Sequence, residues 1–82
     1  MMRVTLYTKP GCHLCEVVER TIAEVGRSRA FELEIRNILD DEGDYREYQH
    51  DVPVVMVNGK EVARHRMERR KLEAVLDCAV AQ

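Results

Sequence analysis

The stretch F-E-L-E-I-R at 31–36 alternates apolar and charged residues without a break. This pattern predicts a strand with Phe31, Leu33 and Ile35 inward and Glu32, Glu34 and Arg36 outward. Upstream, R-V-T-L-Y-T at 3–8 is rich in β-branched and aromatic residues and predicts a second strand, with Val4 and Leu6 on one side and Thr5 and Tyr7 on the other. Between the two, Leu14, Val17, Val18, Ile22 and Val25 recur at three–four spacing, which predicts a helix over 13–25 with these residues on its buried stripe. Glu16 and Glu19 suit its N-terminal end, and Gly26-Arg27 marks its stop. Two strands joined by such a helix form a right-handed βαβ unit with the strands parallel.

The remaining elements must attach to that unit. The segment D-D-E-G-D-Y-R-E-Y-Q-H at 40–50 predicts a short helix capped by Asp40 or Asp41, with Gly43 weakening its start and Tyr45 and Tyr48 sharing a face. Val54–Val57 reads as a buried strand, Asn58-Gly59 as a type I′ hairpin turn and Lys60–Arg64 as the returning strand. The final run M-E-R-R-K-L-E-A-V-L-D-C-A-V predicts a helix with Leu72, Val75, Leu76 and Ala79 inward. The order is β-α-β-α-β-β-α, an α/β fold with a four-stranded mixed sheet. A chain of 82 residues has room for one domain, expected over 1–82.

Composition narrows the function. Hydrophobic residues make up 45% and charged residues 34%, an ordinary globular balance. A net charge of −2 argues against nucleic acid as a partner. No apolar run reaches the length of a membrane span, and the N-terminal stretch lacks the apolar region of a secretory signal, so a cytoplasmic protein with no membrane partner is expected. Three cysteines are too few, and odd in number, for a disulfide framework.

Two of them form C-H-L-C at 12–15, after Pro10-Gly11 and at the start of the first helix. There Cys12 faces unpaired backbone N–H groups and the positive end of the helix dipole, which favour thiolate over thiol. A free cysteine has a pKa near ~8.5, and thiols in such sites fall to about 3.5–7.5. A drop of ~2 units is worth roughly 2.7 kcal/mol of thiolate stabilisation. Lys9, three residues upstream, adds a positive charge. Cys15, one turn later on the same face, is expected to be more buried and placed to attack a mixed disulfide on Cys12. A structural zinc site would need four ligands, usually two such pairs; here Cys78, His13, His50 and His65 would have to complete it, so no metal is expected. An inert, packed pair fits poorly with a cysteine beside Pro-Gly.

Val52-Pro53 stands immediately before the apolar third strand. Proline cannot donate a ladder bond, so it belongs at the strand's start. Either it is a cis-proline that turns the Val52 backbone outward as a short edge for an extended substrate, or it is trans and merely begins the strand.

The stretches L-Y-T-K-P-G-C-H-L-C-E (6–16) and D-V-P-V-V-M-V-N-G-K-E-V (51–62), in this element order, resemble the glutaredoxin-like members of the thioredoxin superfamily over the whole chain. The resemblance implies strand order 2-1-3-4, strand 3 antiparallel to strand 1 and helices on both faces. It implies Cys12 as nucleophile, Cys15 as resolving thiol and Pro53 as a cis-proline facing them. Lys9 matches the family's lysine beside the thiolate, Val52 its backbone contact for the substrate's cysteine, and Tyr7 an aromatic near the site.

The departures matter. Ordinary glutaredoxins carry C-P-Y-C; here His13 follows the nucleophile and either stabilises the thiolate when charged or faces solvent. Ordinary glutaredoxins also hold glutathione with a Gly-Gly pair and an acidic residue after the last strand, where this chain has Ala63 and Arg64. In this respect it is similar to small bacterial glutaredoxin-like proteins. The same stretch is basic, with Lys60, Arg64, Arg66, Arg69, Arg70 and Lys71 against Glu61 and Glu68. Arg64 and Arg66 either hold glutathione's carboxylates or an acidic partner surface, or are solvated; Arg69, Arg70 and Lys71 read as a solvated face. Cys78 is expected to pack as a small apolar side chain.

The expected function is a thiol–disulfide oxidoreductase reducing protein disulfides or glutathione mixed disulfides. It has no bound cofactor, glutathione as a co-substrate, and glutathione or a thioredoxin-reductase-like flavoprotein as reductant. A monomer is expected. The alternative is a non-catalytic binding module or an iron–sulfur cluster carrier on the same fold.

Overall fold

The computed structural model describes residues 2–80. Its elements are β1 (Arg3–Thr8), α1 (His13–Val25), β2 (Glu32–Asn37), a 3₁₀ turn (Ile38–Asp40), α2 (Glu42–Tyr48), β3 (Val54–Val57), β4 (Lys60–Arg64) and α3 (Arg69–Val80). The strands form one sheet in the order β2-β1-β3-β4. β1 runs parallel to β2, while β3 is antiparallel to both β1 and β4. The expected order, directions and hairpin are all present.

The period-two strand pattern sends side chains to two layers. Val4 and Leu6 of β1 and Val55 and Val57 of β3 pack with Val18, Ile22 and Val25 of α1 and Leu72 and Leu76 of α3. On the opposite face, Tyr7 and Val54 pack with Tyr48 of α2, Ile38, Val52 and Cys15. The cysteine pair thus sits where the end of β1 hands over to α1, beside the smaller cluster.

Local capping sets the joints. Gly11 has φ +78, which glycine adopts without the penalty other residues incur. Asp41, rather than Asp40, caps α2, accepting from the Asp44 N–H at 2.9 Å. Asn58 and Gly59 have φ 51 and 84, as a type I′ turn requires. A bulge between Val55 and Met56 shifts the β3–β4 register. Gly26 ends α1 in a right-handed conformation, φ −61, with its N–H still bonded to the Ile22 carbonyl.

Several inward assignments are corrected. Leu33 and Ile35 pair with Val4 and Leu6 and so share their face, yet both are exposed. β2 is an edge strand, and α1 and α3 pack over β1 and β3, leaving the rim uncovered. Leu14 and Val17 are also exposed, because Cys15 takes the core position in the first turn and the buried stripe runs Cys15, Val18, Ile22, Val25. Tyr45 points outward while Tyr48 is buried. Cys78 is exposed on the flank of α3 instead of packed.

Candidate active site

Pro10 and Gly11 turn the chain out of β1 and deliver Cys12 to the N-cap of α1. Its backbone is extended, φ −89 and ψ 106, and its sulfur accepts the Cys15 N–H at 3.1 Å. That bond satisfies one of the donors that a helix start leaves open, and it would stabilise negative charge on the sulfur. Cys12 and Cys15 are joined as a disulfide, with Cα atoms 5.2 Å apart. Cys15 is 2% exposed and Cys12 only partly covered, so one sulfur is reachable from solvent and the other lies behind it.

The Val52-Pro53 bond is cis, and both residues are buried. Cys15 and Val52 belong to one packed cluster, with Cys12 and Tyr7 against it. The chain's two motifs, about forty residues apart, therefore meet in one site. The Lys9 ammonium donates to the Gln49 carbonyl at 3.3 Å, tying the β1–α1 loop to the end of α2. Lys9, Pro10, Gly11 and both cysteines line a shallow cleft with Glu16 and Asn37. The His13 ring projects into solvent, its Nδ1 3.8 Å from Glu16 Oε2.

Arg64 is engaged elsewhere than at the cysteines. Its guanidinium donates to both carboxylate oxygens of Glu61, at 2.9 and 2.7 Å, and lies 3.1 Å from Asp51 Oδ2. The bidentate pairing raises the Arg64 pKa and holds the Glu61 carboxyl below its ordinary range. Burial pushes the Tyr48 phenol up.

Sequence reasoning passed over Asp51 and His65 as site residues. Asp51 precedes Val52; its other carboxylate oxygen lies 3.3 Å from His65 Nε2. The His65 N–H donates to the Pro53 carbonyl at 2.7 Å, from a left-handed backbone, φ 71. The last residue of β4, Arg64, and the residue after it, His65, thus grip the segment around Val52-Pro53, the first through Asp51 and the second through the Pro53 carbonyl. The signal available in the sequence was the placement of an acidic residue directly beside Val52-Pro53. The described residues contain no cluster of three or more His, Cys, Asp or Glu placed to hold a metal ion, and no helix among them is long and apolar enough to cross a membrane.

Comparison with known proteins agrees with this architecture. The glutaredoxin-like domain family (DUF836) matches residues 3–77. The "Glutaredoxin-like protein YDR286C homolog" of Dictyostelium discoideum is 28% identical over 88 residues, covering 99% of this chain and 81% of that protein. The X-ray structure of protein XcR50 from X. campestris superposes with a TM-score of 0.73 at 32% identity, covering 92% of this chain and 96% of that one. A thioredoxin mutant from Halobacterium salinarum shares the fold alone, with a TM-score of 0.72 at 11% identity over 94% of this chain and 73% of that one. With a cysteine pair at the first helix start, a four-stranded 2-1-3-4 sheet and a match across nearly its whole length, the chain belongs to the glutaredoxin-like domain family on the thioredoxin fold.

Proposed function

We propose that this protein is a thiol–disulfide oxidoreductase that reduces protein disulfides or glutathione mixed disulfides. The observation that carries the reading is the asymmetry of the pair: Cys12 partly exposed at a helix N-cap, Cys15 buried one turn behind it and within bonding reach. In the dithiol form the Cys12 thiolate attacks one sulfur of the substrate disulfide. A bond forms between Cys12 and that sulfur, and the other sulfur leaves as a thiolate and takes a proton. Cys15, deprotonated, then attacks the Cys12 sulfur. This forms the Cys12–Cys15 disulfide and releases the second substrate thiol. The substrate is reduced by two electrons and the protein is oxidised by two. The Val52 backbone offers the edge along which the substrate's cysteine lies, and Pro53 faces the pair; Tyr7 and His13 tune it from the packed and solvent sides. Lys9 braces the loop and contributes positive charge. Glutathione, acting as co-substrate, or a flavoprotein reductase returns the protein to the dithiol. The cycle needs no resident cofactor and one subunit, and it suits a reducing compartment such as the cytoplasm.

Rapid alkylation of the reduced protein against pH tests the reading. Cys12 should titrate at least about one unit below the free-cysteine value of ~8.5. Cys12→Ser should abolish disulfide reduction, and Cys15→Ser should accumulate the mixed disulfide with substrate. A Cys12 that titrates as a free cysteine, together with full activity in Cys12→Ser, would overturn it.

A further inference from the structure

Between the start of α1 and the segment after β4 lies a groove of about 380 Å³, floored by Leu14, Val17 and Met67 and rimmed by His65, Arg66 and Glu68. We infer that this groove docks an acidic segment of the protein substrate, with an apolar side chain seated on Leu14, Val17 and Met67 and a carboxylate held by Arg66. This rests on the redox reading above and names the substrate class for it.

Three observations carry it. First, the floor is apolar where solvent reaches it. Leu14 is 44% exposed and Val17 42%, large side chains in the first two turns of a helix whose other large apolar residues, Val18, Ile22 and Val25, are buried. Leu14 lies between the two cysteines in sequence, which puts this floor on the same first turn of α1 as the reactive pair.

Second, the cation at the rim, Arg66, and those that follow it in the chain are unspent. Arg29, Arg36 and Arg64 are each paired with carboxylates, whereas Arg66, Arg69, Arg70 and Lys71 form no ion pair among the described residues. Four permanent charges stand against Glu68 alone in the stretch 65–71, in a chain whose net charge is −2. Arg69, Arg70 and Lys71 occupy the first turn of α3, which holds no acidic residue. Cations there oppose the helix dipole, so their placement does not serve the helix. A local field of one sign beside a reactive sulfur attracts the opposite charge and raises encounter rates.

Third, the basic run is anchored to the substrate edge. The His65 N–H bond to the Pro53 carbonyl fixes its start against Val52-Pro53. Arg64, the other candidate for a carboxylate, is already held by Glu61 and Asp51, whereas Arg66 at this end has no ion pair among the described residues.

The test is single-turnover oxidation of the reduced protein by three disulfides: a peptide with leucine and aspartates flanking its cysteine, the same peptide with lysines for aspartates, and uncharged hydroxyethyl disulfide. At low salt the acidic peptide should react about tenfold faster than the lysine peptide. That ratio should fall toward one at 0.5 M salt, and in Arg66→Glu it should fall further. Equal rates for the two peptides, with hydroxyethyl disulfide reduced normally, would overturn the docking inference alone. Failure to reduce any of the three would overturn the redox reading, and this inference with it.

Discussion

The rings of Tyr7 and Tyr48 stack with centroids 4.6 Å apart and planes inclined by 36°, joining β1 to α2 directly below the cysteine pair. An arginine closes each end of the stack. Arg36 lies 5.8 Å from the Tyr7 centroid and Arg64 5.8 Å from that of Tyr48. Each arginine is in turn fixed by carboxylates: Arg36 by Asp44 at 3.0 Å, Arg64 by Glu61. The stack thus spans the sheet from the β2 edge to the β4 edge. A tilted aromatic pair contributes about 0.5–1.5 kcal/mol beyond its buried area.

Tyr48→Ala removes the stack, the platform under Arg64 and much of the smaller cluster. It should destabilise the protein by about 3–4 kcal/mol in urea unfolding. Tyr48→Phe keeps the ring and should lose far less. Equal losses for the two would show that the hydroxyl, not the stacked ring, matters.

The phase of α1 can be checked by paired truncations. Ile22 is fully buried, and Ile22→Ala should destabilise by about 2–5 kcal/mol. Val17 is exposed, and Val17→Ala should change stability by no more than about 0.5 kcal/mol. The same thermal or urea melts would detect a helix packed in the phase expected from its apolar residues, since Val17 would then be costly to truncate.

At Gly11 the constraint is backbone conformation rather than space. A Cβ there would meet no atom within 4 Å, but φ is +78. Gly11→Ala should therefore cost about 1–2 kcal/mol, and Gly11→Asn less, because asparagine tolerates this region. Equilibrium unfolding of the two variants makes the comparison.

Acid should loosen the tie between the α1–β2 loop and α3. The Arg29 guanidinium donates to both Asp77 oxygens, at 3.0 and 2.9 Å, and holds the Asp77 carboxyl below its ordinary value of 3.8. A lowered folded value means that the pair's contribution is complete above the unfolded value and is lost as pH falls through the folded one. Asp77→Asn should thus unfold slightly more easily than the parent at pH 7, and the gap should narrow as pH falls below the ordinary value of 3.8. A gap that persists at pH 2 would assign the effect to packing.

The element order and the reactive pair were legible because both rest on short-range chemistry. Alternation in F-E-L-E-I-R, the Asn58-Gly59 turn and cysteines three apart at a helix start act between neighbours in the chain. The exposure of Leu33 and Ile35 was not legible: alternation assigns them a face, while coverage depends on which strand ends at the sheet's edge. Nor was the choice between a free and an engaged Arg64, which turned on the hairpin bringing Glu61 and the more distant Asp51 together around its guanidinium.

The sequence by itself determined the strands, the helices, their order and the sulfur pair at the first helix start, since hydrophobic period, turn chemistry and capping are local. Only the tertiary structure decided that Asp51, Arg64 and His65 converge on Val52-Pro53, that Leu14 and Val17 stay off the core, and that Arg66 forms no ion pair among the described residues. The physical reason is register. Pairing β3 between β1 and β4, with its bulge, sets which distant side chains come within bonding reach, and no local preference encodes that distance.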